Sequence, residues 1–337
     1  MWQGAEGYPD GLRAIDIHCL RIKIRLKWQY AIIDLYLGME QMVGTSYGSV
    51  SVEEMVVPEL PQSVIESLHS LSVKIGSMAQ EDFVVPELYW PSVHLLARRG
   101  KLLRPTLVFL SAYSIGEKPS DYIDLALSAE LLHVSSLIHD DIIDGDATRN
   151  DIETVHVKYG TGAAILAGDS LISKSITLAS NYGKDVISAI ATSAMEMCAG
   201  EILDSKYQKA GIVPSIDDYI RLAELKSASL ISASCSSAAI YAKSRSSDAL
   251  GKFGKYLGLA FQIRDDIIDF IGGEGNGYRP NIIKTIVTSE GLVPNEALLK
   301  AAILNNAYVD RAMEELHGFE CQGLLNYSQF VKVKLRR

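Results

Sequence analysis

The feature that most constrains the fold is a long stretch without proline, between Pro119 and Pro214. Ala, Leu, Ile, Ser and Glu dominate this stretch, and apolar residues recur at three- and four-residue spacing. That spacing is the period of an amphipathic α-helix, and no alternation of strands with helices is evident. The sequence therefore predicts a mainly helical single domain.

Composition narrows the class of protein. The chain has 337 residues, 48% of them hydrophobic, which is ample for a large core. Its net charge of −9 argues against a nucleic-acid binder. Four scattered cysteines without C-x-x-C spacing argue against a zinc site or a disulfide framework and fit a reducing compartment. We expect no transmembrane segment, because charged residues interrupt the most apolar early stretch, and no signal peptide.

The first 57 residues differ from the rest. They mix Gly, Tyr and basic residues, so we expect residues 1–57 to be an appendage, disordered or the product of a mis-assigned start codon, with Met39 and Met42 as alternative starts. Residues 58–337 form the predicted helical domain, and 272–281 form a loop. Helices are expected at 60–75, 89–100, 104–115, 119–144, 163–182, 184–209, 216–243, 246–271, 280–289 and 294–316.

One stretch, at 226–247, is unusually rich in Ser and Ala and lies mostly in the helix predicted at 216–243. Small side chains allow close helix–helix packing, and they also suit a helix that lines an open cavity. The sequence leaves both interpretations open.

An acidic pentapeptide, Asp-Asp-Ile-Ile-Asp, occurs twice, at Asp140–Asp144 and at Asp265–Asp269, each time after an apolar run. The first and fifth residues of each copy share a helix face, where two like charges destabilise the helix unless a cation compensates them. Carboxylate oxygens without neighbouring His or Cys suit Mg²⁺, which takes its remaining ligands from water and phosphates. Two such faces opposite each other would form a cage for a diphosphate.

The motif has two other interpretations, a solvated helix end and a calcium-binding loop. A single copy would more often be a solvated helix end, but the second copy favours function. A calcium loop over 144–155 would need glycine where Arg149 stands and an acid where Val155 stands.

Together with these motifs, Gly-Lys-Leu-Leu-Arg-Pro at 100–105 resembles elements of the all-trans polyprenyl diphosphate synthases, the family of farnesyl and geranylgeranyl diphosphate synthases. The resemblance covers roughly residues 60 to 271. It implies an all-α fold, a single large helical bundle around a deep central cavity. It also implies that Mg²⁺, or Mn²⁺ in its place, binds the two motifs, with the metal ligands drawn from Asp140, Asp141, Asp144, Asp265, Asp266 and Asp269.

The resemblance also assigns substrate-binding residues. It implies that Lys101, Arg104 and His133 hold the diphosphate of isopentenyl diphosphate, and that Arg149 meets the allylic diphosphate. Lys226, Ser227 and Gln262 are the implied catalytic residues, along the path of the allylic cation, and they also bind substrate. The implied reaction condenses isopentenyl diphosphate with dimethylallyl, geranyl, farnesyl or geranylgeranyl diphosphate.

Product length is expected to depend on the residues just before the first motif. In the family, the fourth and fifth residues before it form the floor of the chain pocket, and here these are the small Ser136 and Ser135. A chain passing them would meet Leu132, so we expect products of twenty carbons or more. Met195 or Met197 from another helix is the alternative floor.

The chain departs from the family pattern after each motif. Asn150 stands where a second arginine is usual, and the loop after Asp269 lacks the usual lysine, for which Arg279 or Lys284 could substitute. These departures leave two alternatives open: a weakly active or regulatory subunit of a heteromeric synthase, and a non-catalytic helical protein that binds metal or lipid. A terpene cyclase is less favoured, because the second motif is fully acidic. By resemblance we expect a cytoplasmic homodimer, peripheral at the membrane for product release.

Overall fold

The computed structural model describes residues 45–47, 50–52, 59–78, 80–97, 102–272, 279–318 and 321–335. These residues are predominantly helical, which confirms the all-α prediction. Two short 3₁₀ segments lie at Gln80–Phe83 and Pro119–Tyr122, and a π-helical turn lies at Glu224–Ala228. The α-helices are α1 Gln62–Gly76, α2 Pro86–Val93, α3 Leu103–Ser114, α4 Ile123–Asp144, α5 Val155–Tyr159, α6 Thr161–Ser180, α7 Lys184–Ala210, α8 Ile216–Ala223, α9 Ser229–Tyr241, α10 Ser247–Gly272, α11 Ile282–Glu290, α12 Pro294–Glu314 and α13 Gln322–Gln329.

The strands are short and lie at the margins of the bundle. β3 Thr148–Arg149 and β4 Ile152–Glu153 form a hairpin directly after α4. β1 Thr45–Tyr47 and β2 Val50–Val52 pair antiparallel, and β2 also pairs with β5 Lys334–Leu335. Part of the predicted appendage therefore contacts the C-terminal end of the domain. The boundary near residue 57 stays a proposal.

The core is built by helices that pack on one another. α4 packs on α6, α9 packs on α10, and α10 packs in turn on α12. α4 is almost entirely buried in its first four turns, where Leu125 and Leu131 are fully shielded from solvent. It ends at Gly145, whose φ of 70° is a conformation that glycine adopts without strain. The first acidic motif therefore lies at the end of a helix whose first turns are buried in the core.

The Ser- and Ala-rich segment serves both roles that its sequence left open. α9 is buried along most of its length, and Ser234 and Ser237 satisfy their hydroxyls on carbonyls of their own helix. A Cβ at Gly254 of α10 would lie 2.7 Å from the carbonyl oxygen of Ile231, so the two helices are in backbone contact. Ile231 also lines the cavity described below. Close packing is thus confirmed, and the same helix borders the cavity.

One predicted helix was wrong in its bounds. The helix expected at 89–100 is α2, which begins earlier, because Pro86 suits a first helical turn, and ends at Val93, followed by a turn. Gly100, the expected stop, lies outside the described residues. The sequence analysis also missed α13, a short helix whose buried side includes Leu324 and Tyr327.

By length and composition alone, α7 is apolar enough to cross a membrane, and it is the one such helix among the described residues. The sequence analysis had expected no such segment. In the structure α7 packs against α6, α9 and the π-helical turn. It also carries Glu201 and Asp204, which form ion pairs with Lys226. We therefore describe it as part of the helical body.

Candidate active site

One cavity brings together residues from both acidic motifs. It has a volume of about 350 Å³ and lies between α3, α4, α7, the π-helical turn and α10. Asp140 lines it from the first motif and Asp265 from the second. The other predicted site residues that line it are Arg104, His133, Ser136, Lys226, Ser227 and Gln262. Residues that are far apart in the sequence thus line one cavity.

The carboxylate of the second aspartate in each motif is hydrogen-bonded to other residues of the protein. Asp141 is fully buried, and its Oδ1 accepts from the Nε of Arg149 at 2.7 Å, with the Nη2 at 2.6 Å. Asp266 is 4% exposed and accepts from the hydroxyl of Tyr219 at 2.7 Å and the backbone N–H of Ile282 at 2.8 Å. Both carboxylates therefore anchor their motifs to neighbouring elements.

The remaining acids form the better candidate metal set. Asp140, Asp144 and Asp265 are half-buried, and Asp269 is exposed. Among the residues that the structure describes, no cluster of three or more His, Cys, Asp or Glu is arranged to hold a metal by itself. Separate carboxylates on facing helix ends fit Mg²⁺, which uses few protein ligands and completes its shell with water and phosphate oxygens.

Lys226 lies on the π-helical turn, a local widening that is frequent at functional sites. Its ammonium pairs with Glu201 at 2.6 Å and with Asp204, both on α7. The turn can approach α7 because Gly200 has no side chain: a Cβ there would lie 2.4 Å from the backbone nitrogen of Lys226. Any other residue at Gly200 would push Lys226 away from the cavity.

Glu201 and Asp204 are functional candidates that the sequence analysis missed. Glu201 is also close enough to Asp140 to affect it. Burial raises the pKa of Asp140 to about 7, Lys226 opposes the shift, and Glu201 adds to it. The available signal was the Glu-x-x-Asp spacing on α7, which places two acids on one helix face.

Ser227 and Gln262 are joined by a hydrogen bond. The Ser227 hydroxyl donates to Oε1 of Gln262 at 2.5 Å, and Nε2 of Gln262 donates to Oδ1 of Asp266 at 3.0 Å. This chain of bonds fixes which end of the Gln262 amide faces each partner. It also ties the π-helical turn to the second acidic motif.

Arg104, Glu130 and His133 are three titratable residues that line the same cavity. Burial lowers the pKa of Arg104 to about 10, and its Nε has no hydrogen-bond partner among the described residues. Burial raises the pKa of Glu130 to about 7, an effect that Arg104 opposes. Burial, with the charges of Arg104 and Arg149, holds the pKa of His133 well below its usual range. A buried guanidinium with a free donor and a neutral imidazole suit an anionic ligand.

Asn150 lies in the two-residue turn between β3 and β4. Asn150 and Asp151 have φ of 49° and 63°, as a type I′ hairpin requires, and Asn is a preferred residue there. The side chain of Asn150 is exposed, whereas the neighbouring Arg149 is half-buried against Asp141. The turn therefore gives a local reason for Asn at this position.

Of the other predicted residues, Arg279 contacts the first motif, with its Nη2 3.1 Å from Oδ2 of Asp144. Lys284 lies on α11, where burial lowers its pKa. Lys101 lies outside the described residues.

A second, largely apolar cavity of about 290 Å³ adjoins the first and shares Ser136, Asp140 and Met197 with it. Leu132 and Ser135 also line it. Met195 lines neither cavity and is 73% exposed. Ser128, one helical turn before Leu132, is buried and forms a hydrogen bond with Ser175.

The fold and site define a class: an all-α protein with two acidic helix ends facing a shared cavity lined by cationic side chains. The sequence model of the polyprenyl synthetase family matches residues 85–279. The chain belongs to this family.

Similar proteins carry related names. A short chain isoprenyl diphosphate synthase of Methanothermobacter thermautotrophicus is 36% identical over 56% of this chain and 60% of its own length. A geranylfarnesyl diphosphate synthase of Methanosarcina mazei is 32% identical over 68% of this chain and 78% of its own. The structure of a geranylgeranyl pyrophosphate synthetase from Geoglobus acetivorans superposes with a TM-score of 0.69 at 26% identity, covering 80% of this chain and 96% of its own. The matched region spans about 60% of the length of the curated relatives with the strongest matches.

Proposed function

We propose that the protein is a Mg²⁺-dependent trans-prenyltransferase that condenses isopentenyl diphosphate with an allylic diphosphate to give a polyprenyl diphosphate of twenty carbons or more. The observation that carries this proposal is the junction of the two cavities. Asp140 borders both, so a diphosphate held at the acidic motifs can extend its hydrocarbon into the apolar cavity. Relatives named geranylgeranyl and geranylfarnesyl diphosphate synthases support the product class.

The side chains divide into two binding groups. Arg104 and neutral His133 would hold the diphosphate of isopentenyl diphosphate, together with Lys101. Arg149 and Lys226 would face the diphosphate that leaves the allylic substrate. Mg²⁺, held by Asp140, Asp144, Asp265 and Asp269, would neutralise charge on that diphosphate.

Other side chains of the cavity would face the allylic cation or keep water away from it. Ser227 and Gln262 line the same cavity, and their oxygen atoms would face the allylic carbon that becomes electron-poor. As the C1–O bond to the leaving diphosphate breaks, the C3=C4 double bond of isopentenyl diphosphate attacks that carbon through C4. The new cation at C3 then loses a proton from C2 to the released diphosphate. Apolar walls from Phe261, Ile231 and Leu137 exclude water that would otherwise quench the cation.

The direct experiment is incubation of the pure protein with isopentenyl diphosphate, each allylic primer in turn and Mg²⁺, followed by sizing of the products. We expect a ladder that ends at twenty carbons or more. A protein that binds both substrates without forming products would instead support the alternative function, a regulatory subunit of a heteromeric synthase. The turn residue Asn150, which replaces a cationic side chain, is the observation that favours this alternative.

We further propose that the protein is a homodimer, works in the cytoplasm and releases its product at the membrane surface. Exposed apolar residues on the neighbouring helices α6 and α7 support the dimer: Leu166, Met195 and Ile202 are 61%, 73% and 70% exposed. Apolar side chains that face solvent in this way are covered when they form an interface. Light scattering of wild type and Leu166→Asp tests the dimer, and a wild-type monomer would contradict it.

A further inference from the structure

Arg279 links the two acidic motifs, through its side chain to the first and through the residues that follow it to the second. Its Nη2 lies 3.1 Å from Oδ2 of Asp144, the last residue of the first motif. The same nitrogen donates to Oδ2 and Oδ1 of Asp146 at 2.9 and 3.1 Å. One cation thus binds two carboxylates at the end of α4, and one of these is a candidate metal ligand.

The backbone of Arg279 is fixed to the second motif. Pro280 follows it and restricts it to an extended conformation. The Asn281 side chain then donates to the main-chain oxygen of Asp266 at 3.2 Å, and the N–H of Ile282 donates to the Asp266 carboxylate at 2.8 Å. The guanidinium therefore reaches the first motif from a base that is anchored on the second.

The position of the guanidinium follows from the local charge. Asp140 and Asp144 lie on the last turns of α4 and Asp146 lies just after it, and Arg279 forms ion pairs with Asp144 and Asp146. Close carboxylates need a counter-charge. In the absence of metal, Arg279 supplies that charge at Asp144.

We propose that Arg279 is an internal counter-ion that occupies Asp144 in the metal-free protein, competes with Mg²⁺ for that carboxylate, and turns to the metal-bound diphosphate once it is displaced. The proposal rests on the proposed function, because it requires a diphosphate site at the two motifs. Asp144 Oδ2 cannot accept from the guanidinium and ligate a metal in the same direction. The ion pair with Asp146 keeps the displaced Arg279 side chain beside the first motif, where a planar guanidinium can bind phosphate oxygens in pairs.

The first test measures metal binding without substrate. Mn²⁺ affinity is determined by electron paramagnetic resonance for wild type, Arg279→Gln and Arg279→Lys. The ion pair is half-exposed on the arginine side, and exposed pairs contribute up to about 1 kcal/mol, so Arg279→Gln should bind Mn²⁺ about two- to fivefold more tightly. Arg279→Lys keeps the charge and should stay close to wild type. Unchanged or weaker Mn²⁺ binding by Arg279→Gln would overturn the competition.

The second test measures inorganic pyrophosphate binding by calorimetry in saturating Mg²⁺. Loss of a charge-assisted hydrogen bond should weaken pyrophosphate binding by Arg279→Gln about tenfold. Lys300→Gln, which removes an exposed ion pair with Glu290, is the control and should match wild type. Wild-type protein that binds no pyrophosphate contradicts the proposed function itself. Wild-type binding with equal affinity in Arg279→Gln contradicts the role of Arg279 alone.

Discussion

The hydroxyl of Ser227 donates to the amide oxygen of Gln262 at 2.5 Å, across 35 positions of sequence. The bond joins the π-helical turn to α10, and the amide nitrogen of Gln262 donates in turn to Asp266 of the second acidic motif. Asp266 is held in turn by the buried hydroxyl of Tyr219 on α8. Two residues expected to meet the allylic cation are thus one hydrogen-bonded unit with the motif beside them.

This bond predicts non-additive kinetics. Ser227→Ala and Gln262→Ala should each lower kcat about tenfold or more, because either change frees the orientation of the other side chain. The double variant should lose less than the product of the two single losses, with a coupling energy of about 1 kcal/mol. Steady-state kinetics of the four proteins measure this coupling. Fully additive losses would show that the two side chains act independently.

Product length should depend on Ser135. It is 1% exposed and lines the apolar cavity beside Leu132, so a phenylalanine there would fill the space below the acidic motif. One helical turn rises about 5.4 Å, close to one isoprene unit, so Ser135→Phe should shorten the main product by at least one unit. Ser135→Ala is the matched control and should leave the products unchanged. If Ser135→Phe makes the wild-type ladder, the chain does not pass this residue.

Asn150→Arg should lower KM for isopentenyl diphosphate, with little change for the allylic substrate. An arginine adds a charge-assisted contact with phosphate that an amide lacks. Because Asn150 has φ of 49°, the same change should destabilise the hairpin by about 1 kcal/mol. Asn150→Gln introduces the same backbone strain without the charge, so its KM should equal that of wild type. Equal KM values for the Arg and Gln variants would mean that this turn does not reach the substrate.

The pH dependence of the free energy of unfolding should reveal the raised pKa of Glu130. Its pKa is raised from 4.5 to about 7 by burial, so the folded protein holds this proton to higher pH than the unfolded chain. Wild-type stability from this group therefore falls as pH rises from about 4.5 to 7, by on the order of 3 kcal/mol. Urea unfolding at about pH 5 and pH 8 should show a smaller fall for Glu130→Gln than for wild type.

The control for Glu130 is an exposed carboxylate on α12. Glu314→Gln should keep the wild-type fall in stability between the two pH values. A fall that is equal in wild type and Glu130→Gln would show that Glu130 is already ionised at low pH in the folded protein.

Much of the site was predictable because its signals are local. The repeated acidic motif and the apolar period of the helices predicted which helix ends carry acids, and α4 and α10 end where expected. The different roles of the aspartates within each motif were not predictable, since Asp141 is set apart by its bond to Arg149 and Asp266 by its bonds to other elements, among them one to Tyr219. Those partners depend on tertiary packing.

Other features left weak signals or none. The role of Glu201 depends on Gly200, whose missing side chain lets α7 approach the π-helical turn. A single glycine inside a helical pattern does not identify its neighbour. Asn-Asp is a suitable pair for the type I′ turn at Asn150. The turn could still not be predicted, because its flanking strands of two residues are too short to give a sequence signal.

The central claim is that the two acidic motifs act together on one substrate through Mg²⁺. The most direct measurement is prenyl-transfer turnover, with Mg²⁺ and with a chelator, for wild type, Asp140→Asn, Asp265→Asn and the surface control Asp310→Asn. We expect turnover to stop in chelator and to return with Mg²⁺, and each motif variant to lose about a hundredfold or more in kcat while the control matches wild type. Turnover that persists in chelator, or near-normal kcat in either motif variant, would contradict the account.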